Sequence, residues 1–214
     1  MSKPFTIDDL SNQINSDRTW RIREITDLSD AVRRADPISK KVLLRALVTI
    51  CYAHWEGYVR YGAQRYIEHV AIKKLAFSAL SVQFSRNHVL PKLSALSSSK
   101  VGLRGKCELV DEILELSSKK FSRINPDLIN TRSNLNFEMF SDICLICDLP
   151  PDILKDKETF IDVILLKRRN AIAHGEEAFI DEGDRFDIAN GTIELMRRFG
   201  DAIENHVCSN SFRR

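Results

Sequence analysis

The chain has 214 residues, 43% of them hydrophobic, and its 32 Lys and Arg residues nearly balance 30 Asp and Glu residues, which leaves a formal net charge of +2. This length predicts one domain, residues 1–214, with a sizeable core. The small charge excludes the global basic excess of a protein that coats nucleic acid non-specifically. Few Gly and Pro residues, with little strict alternation of apolar and polar positions, predict an all-α fold.

Two long helices are predicted at the N-terminus. The first begins after Thr6, whose hydroxyl suits an N-cap, and continues on apolar residues spaced three and four apart, with a possible interruption at the polar stretch 15–18. The second begins at Asp36-Pro37, an N-cap followed by proline at the first helical position, and extends to about Val70. Because it is apolar nearly all round, we expect it to be the central core helix.

The second half of this helix contains the segment YAHWEG, in which His54 and Glu56 stand among aromatic residues. One interpretation is structural: Glu56 precedes Arg60 by four residues, the favourable order for a helical ion pair, and a histidine beside aromatic residues is usually part of the core. The other interpretation places both residues near an active site. The sequence leaves both open.

Residues from about 72 to 156 form a less regular part of the chain. Here we expect a broken helix and a polar loop between Ala71 and Lys100, because Pro91 falls in the middle and a serine run follows. Short helices are predicted at Cys107–Leu116 and around Phe137–Cys147, the second ending at a double proline. We treat this segment as a helical insertion in the domain.

The five cysteines are odd in number and widely spread, and most lie in apolar helical stretches, so they are predicted to be reduced core residues. Cys144 and Cys147 form a CxxC, but no second Cys or Cys/His pair at zinc spacing accompanies it. No apolar run approaches the length of a membrane span and the N-terminus lacks a signal-peptide pattern. We therefore expect a cytoplasmic protein with no membrane partner.

The densest polar cluster is KRRNAIAHG, residues 167–175, at the end of an apolar helical run that starts at about Thr159. Gly175 ends this helix, an acidic loop follows, and a last helix extends from about Asp184 to Val207. On a regular helix Asn170 and His174 share a face, about 40° apart, whereas positions 169 and 174 are about 140° apart. Arg169 and His174 can therefore meet only if the helix loosens near Gly175, or if a ligand lies across its end.

This cluster contains what cleavage of an RNA phosphodiester requires. An imidazole transfers protons near neutral pH, a guanidinium binds a phosphate with two parallel hydrogen bonds, and an amide orients either group. A structural alternative stands beside this one, because a histidine before glycine at a helix C-terminus, preceded by cations, is also a common end to a helix and is favoured by its dipole.

RRNAIAHG, closing an apolar helix in an all-helical chain, resembles the R-x4-6-H signature of the HEPN superfamily, with Arg169, Asn170 and His174 at the matching positions. The segments ITDL near Ile25 and YAHWEGYVR resemble the MAE-type and RiboL-PSP HEPN proteins of bacterial conflict and defence systems. The resemblance implies a bundle of four or more helices, and a homodimer in which two motifs face each other across a cleft with RNA as substrate. Many members of the superfamily are metal-independent RNases.

From this resemblance we predict that Arg169, His174 and Asn170 are catalytic, and that no metal or other cofactor takes part. Arg168, Lys167, Glu56 and His54 are the candidate substrate-binding residues. The expected function is that of an endoribonuclease, a toxin or defence effector, with an antitoxin or regulatory protein as a further partner. The alternative is a non-catalytic nucleotide- or protein-binding module, since some HEPN proteins bind without cutting.

Overall fold

The computed structural model describes residues 3–98, 102–122, 125–131, 134–178 and 180–214. These residues form α-helices α1 (Ile7–Arg34), α2 (Pro37–Ile72), α3 (Val82–Ser98), α4 (Leu103–Glu115), α5 (Phe137–Ile146), α6 (Arg168–Ala173) and α7 (Asp184–Cys208). A π-helical segment, Phe160–Lys167, leads directly into α6. Within the described ranges the only β-structure is two isolated bridges, so the prediction of an all-α bundle with a helical insertion is confirmed.

The caps that the sequence predicts are present at both long helices. Thr6 accepts a hydrogen bond from the Asp9 N–H, and the Asp9 carboxylate accepts one from the Thr6 N–H, which completes a capping box. Asp36 accepts from two N–H groups of the first turn of α2. In that part of the chain, local sequence chemistry was sufficient to place the helix starts.

Helix α2 is the centre of the core, as predicted, and packs against α1, α6 and α7. Trp55 and Tyr58 of α2 are fully buried and meet Phe199 of α7 edge to face, while Phe140 of α5 closes the aromatic cluster on Trp55. Helix α7 also approaches the π-helical segment closely at Gly191, where a Cβ would lie 2.5 Å from the Phe160 ring. Gly191 is therefore required by packing.

The predicted interruption of α1 at residues 15–18 is wrong, because this polar stretch has partners on α7. Arg18 forms an ion pair with Asp201 at 3.0 Å, and the Asn15 side-chain amide donates to Glu204 at 2.9 Å. The polar residues thus stabilise the contact between two helices, and α1 continues without a break.

The predicted break at Pro91 is also wrong, since α3 continues through that residue. Proline in a helix interior is costly, and contacts with α4 and α5 offset this cost. The Asn87 amide donates to the Ile146 carbonyl at 2.7 Å, and Glu112 of α4 binds His88 and Lys92 of α3. Ser99 and Lys100 of the predicted polar loop lie outside the described residues, as do Arg132 and Ser133.

Buried apolar residues of the insertion, such as Phe84 and Phe121, belong to the same hydrophobic cluster as those of α1, α2 and α7. The insertion therefore shares its hydrophobic core with the long helices, and the division of the chain into a single domain stays a prediction. Cys51, Cys144 and Cys147 are buried as predicted, but the prediction was wrong for Cys107 and Cys208, which are exposed at helix positions that face away from the core. In the described ranges no helix is long and apolar enough to cross a membrane.

Candidate functional site

The motif helix α6 ends in a complete Schellman motif. Gly175 has a φ of +76°, the Glu176 N–H donates to the Ala171 carbonyl at 2.9 Å, and the Gly175 N–H donates to the Ile172 carbonyl at 3.1 Å. The helix therefore does not loosen at Gly175. The widening lies upstream, in the π-helical segment that precedes Arg168, a kind of distortion that is frequent at functional sites.

Arg169 packs on α2. Its guanidinium carbon lies 4.1 Å from the centre of the Tyr52 ring, a cation–π contact. Tyr52 is 2% exposed, and its hydroxyl accepts a hydrogen bond from the Leu135 N–H at 2.6 Å and interacts with Arg169. Burial raises the pKa of Tyr52, and the charge of Glu56 adds to this effect, while Arg169 opposes it. The guanidinium is thus held against a neutral, fixed aromatic surface.

Side chains of α2 and of the motif region also hold the loop that leads into α5. Asn170 donates to the Asn134 side-chain carbonyl at 3.3 Å, and the Thr131 hydroxyl donates to the Glu56 carboxylate at 2.5 Å. Asp162, in the π-helical segment, accepts from the Phe137 N–H at 2.7 Å. Glu56 and Asn170 therefore contact the same loop to which the Tyr52 hydroxyl binds.

Glu56 and His54 point in different directions from α2. Glu56 meets the loop through Thr131, and within the described residues it forms no ion pair with Arg60. His54 is buried against α1, where its Nε2 lies 2.8 Å from the Glu24 carboxylate and its ring meets Trp20 edge to face. Burial lowers the pKa of His54, and the Glu24 charge opposes this shift. The structure brings Glu56 to Thr131, near Tyr52, and leaves His54 in the contact between α1 and α2.

The two basic residues before Arg169 have different surroundings. Arg168 forms an ion pair with Asp184, the first residue of α7, at 2.8 Å, so half-buried Arg168 links α6 to α7. Lys167 is exposed. Of these two cations, Lys167 has its charge directed to solvent and Arg168 has a carboxylate beside it.

His174 is exposed at the C-cap position of α6. Because its N–H donates to the Asn170 carbonyl, the backbone is α-helical from Arg168 to this point, and Arg169 and His174 lie about 140° apart around the axis. Arg45 of α2 donates to the Glu176 carbonyl at 3.0 Å and fixes the backbone that follows. One chain therefore presents the guanidinium and the imidazole on different faces.

A comparison with models of protein families matches residues 16–205 to the family described as RiboL-PSP-HEPN. The chain belongs to this family. The matched range includes the insertion, in which the sequence alone offered no recognisable motif. No curated protein and no solved structure matches the chain.

In this RiboL-PSP-HEPN domain, sequence analysis missed Tyr52, Thr131, Asn134 and Leu135 as parts of the site. Tyr52 could have been found, because it precedes Glu56 by four residues and so shares its helix face. The other three lie in a loop far away in sequence and carried no local signal. Only the fold brings them to Arg169.

Proposed function

We propose that this RiboL-PSP-HEPN domain is a metal-independent endoribonuclease that works as a homodimer, as a toxin or defence effector. The observation that carries the proposal is the fixed guanidinium of Arg169, held on Tyr52 and next to Asn170, on a helix whose exposed end presents His174. A cation held in one place before the substrate arrives suits the binding of a phosphate whose charge increases in the transition state.

The proposed reaction uses groups of the RNA and of the protein. The ribose 2′-oxygen attacks the adjacent phosphorus and loses its proton, a bond forms between these two atoms, and the bond from phosphorus to the 5′-oxygen of the next nucleotide breaks. His174 transfers protons to or from these oxygens, and Arg169 stabilises the charge on the phosphoryl oxygens. The products are a 2′,3′-cyclic phosphate and a 5′-hydroxyl.

A homodimer explains how Arg169 and His174 can act on the same phosphate. Since Arg169 and His174 of one chain lie on different faces of a regular helix, they contact one phosphate together only if the RNA lies across the helix end or a second copy supplies one of the two residues. Exposed Ala173, next to His174, offers little side-chain bulk against a partner helix. We therefore place the RNA between two copies of the motif.

The test is incubation of purified protein with single-stranded RNA in the presence of EDTA, beside the variants Arg169→Ala and His174→Ala. We expect cleavage by the natural protein, with cyclic phosphate ends, and loss of cleavage in both variants. Uncut RNA, or equal cleavage by all three proteins, would contradict the proposal. Mixing the two inactive variants tests the shared site, because a mixed dimer contains one intact Arg169 and one intact His174 and regains activity only if these belong to one composite site.

A second candidate is a module that binds a nucleotide or a protein without turnover. Of the three residues predicted to be catalytic, Arg169 and Asn170 are held by other side chains, while His174 is exposed, and this arrangement favours retention of a phosphate over its cleavage. Nucleotide binding that Arg169→Ala abolishes and His174→Ala leaves unchanged, without any cut RNA, would support this function.

A further inference from the structure

A cavity of about 550 Å³ lies directly beyond the motif, between the first three turns of α2 and residues 177, 178 and 180–182. This volume is within the usual range for small-molecule sites. Its apolar lining includes the buried side chains of Leu44 and Ile180. Glu177, at its edge, is three residues from His174, and Arg45 joins the cavity to the end of the motif through the Glu176 carbonyl. The cavity is thus next to the proposed reaction.

The charged groups around the cavity are mixed in sign. Lys40 and Glu182 form an ion pair at 2.7 Å and neutralise each other. The lining also contains the cations Lys41 and Arg45 and the carboxylates Glu177 and Asp181, and among the described residues no ion pair is formed by any of these four. Within the described ranges the Asp181 carboxylate accepts one hydrogen bond, from the Gly183 N–H, through a single oxygen.

This combination of cations, carboxylates and apolar side chains restricts the chemical class of ligand that the cavity can bind. A groove that follows a nucleic-acid backbone requires cations, and carboxylates in it would repel the phosphates. A single nucleotide has both complementary parts: a phosphate for Lys41 and Arg45, and a planar base whose exocyclic amino group donates to a carboxylate. The apolar part of the lining, which includes exposed Pro37, provides surface for the base.

We propose that this cavity is a subsite for the RNA nucleotide adjacent to the cleaved bond, in which Lys41 and Arg45 bind its phosphate and Glu177 and Asp181 select a base with an exocyclic amino group. The inference rests on the proposed nuclease function for its role in catalysis. It adds a preference: cytosine is accepted and uracil is disfavoured, because uracil has a carbonyl where cytosine has the amino group, and that carbonyl faces the carboxylates without a proton between them.

The test is an NMR titration of the full chain carrying Arg169→Ala and His174→Ala, with 3′-CMP and 3′-UMP as probes and the amides of Ala178 and Ile180 as reporters. The doubly substituted chain is used so that the motif contributes nothing to binding. We expect 3′-CMP to shift both amides and to bind about tenfold more tightly than 3′-UMP, as for one charge-assisted hydrogen bond.

Further substitutions in this doubly substituted chain test the phosphate-binding cations and the base-binding carboxylates of the cavity separately. Lys41→Ala should weaken both nucleotides about tenfold, whereas Lys106→Ala, at an exposed lysine of α4, should change neither. Replacing Glu177 by Gln and Asp181 by Asn should bring the two dissociation constants within about twofold, because an amide can donate to the uracil carbonyl as well as accept from the cytosine amino group.

Three results would each overturn the subsite: no shift of the Ala178 and Ile180 amides, equal affinity for the two nucleotides, or no effect of Lys41→Ala. Because binding is measured without the motif, these results are independent of whether the natural protein cuts RNA. Cleavage without nucleotide binding in the cavity removes the subsite and leaves the nuclease, while binding without cleavage removes the nuclease and leaves a nucleotide site.

Discussion

The two ends of the motif helix are built in opposite ways. At one end Arg169 lies on the ring of buried Tyr52, whose hydroxyl is itself held by the backbone of the loop before α5. At the other end His174 is exposed, and its backbone is held by the Schellman motif and by the hydrogen bond from Arg45 to the Glu176 carbonyl. In the nuclease proposed above, the group that binds the phosphate is thus fixed before the substrate arrives, while the group that moves protons is left where RNA or a second chain can reach it.

Because of this difference, substitutions at the two ends of α6 should affect stability and activity to different extents. A side chain that makes many contacts contributes to folding and to function, so its loss affects both. An exposed side chain contributes little to folding, and its loss shows in activity alone. Measurements of stability and of cleavage in the same variants therefore distinguish the two roles.

The largest expected effect is on RNA cleavage by His174→Ala. Loss of a general acid or base lowers the rate by about 10² to 10⁴-fold, while an exposed substitution changes the free energy of unfolding by about 0.5 kcal/mol or less. Cleavage rates and urea denaturation of the same preparations measure the two quantities. Arg169→Ala is the matched variant at the other end and should lower both, since it also removes the contact with Tyr52. Loss of stability in His174→Ala equal to that in Arg169→Ala would contradict the difference between the two ends of α6.

Next in size is the effect of substitutions at Tyr52. Tyr52→Phe keeps the ring under Arg169 but leaves the buried Leu135 N–H without its acceptor, which costs about 1–3 kcal/mol in the free energy of unfolding. Tyr52→Leu also removes the ring and should lower the cleavage rate further than Tyr52→Phe does. Urea denaturation and single-turnover cleavage provide the measurements.

The control for Tyr52 is Tyr66→Phe, at a buried tyrosine of the same helix whose hydroxyl has no hydrogen-bond partner among the described residues. It should leave both quantities nearly unchanged. If Tyr52→Leu cleaves RNA as fast as the natural protein, the aromatic surface does not position Arg169.

How much of this could be predicted from sequence follows from the range of the interactions. The starts of α1 and α2 were predictable because Thr6 and Asp36 act on the turns that follow them. The stacking of Arg169 on Tyr52 was not, because it joins two helices that no local pattern relates. The break predicted at Pro91 is absent for the same reason, because contacts of α3 with α4 and α5 stabilise the helix through that residue. The motif residues were predictable as a cluster, but their orientation depends on the upstream π-helical segment, which periodicity does not reveal.

A smaller effect concerns His54 and the pH dependence of the free energy of unfolding. Burial lowers the pKa of His54 in the folded state, so the unfolded chain binds a proton more readily. The stabilisation from neutral His54 is therefore present above its unfolded pKa of about 6.5 and is lost as the pH falls below that value, by at most about 1.4 kcal/mol per pH unit. Urea denaturation between pH 7.5 and 5.5 should show a shallower pH dependence in His54→Gln than in the natural protein.

Gln64→Ala, at an exposed residue of the same helix that does not titrate, is the control for this measurement and should retain the natural pH dependence of stability. Buried His69 and His206 also have pKa values lowered by burial, so some dependence remains in His54→Gln. Identical slopes for the natural protein and His54→Gln would mean that His54 is not kept neutral by its burial against α1.

The smallest effect concerns the turn that holds His174. Gly175 has a φ of +76°, and a Cβ built on it meets no atom within 4 Å, so any cost of a side chain there comes from the backbone conformation alone. Gly175→Ala should lower the free energy of unfolding by about 1 kcal/mol, and Gly175→Asn should lower it less, because asparagine adopts this conformation more readily. Thermal unfolding followed by circular dichroism orders the three proteins. The cleavage rates should follow the same order, since the turn fixes the backbone next to the imidazole; equal stability of all three would show that the left-handed turn does not hold this end of the motif.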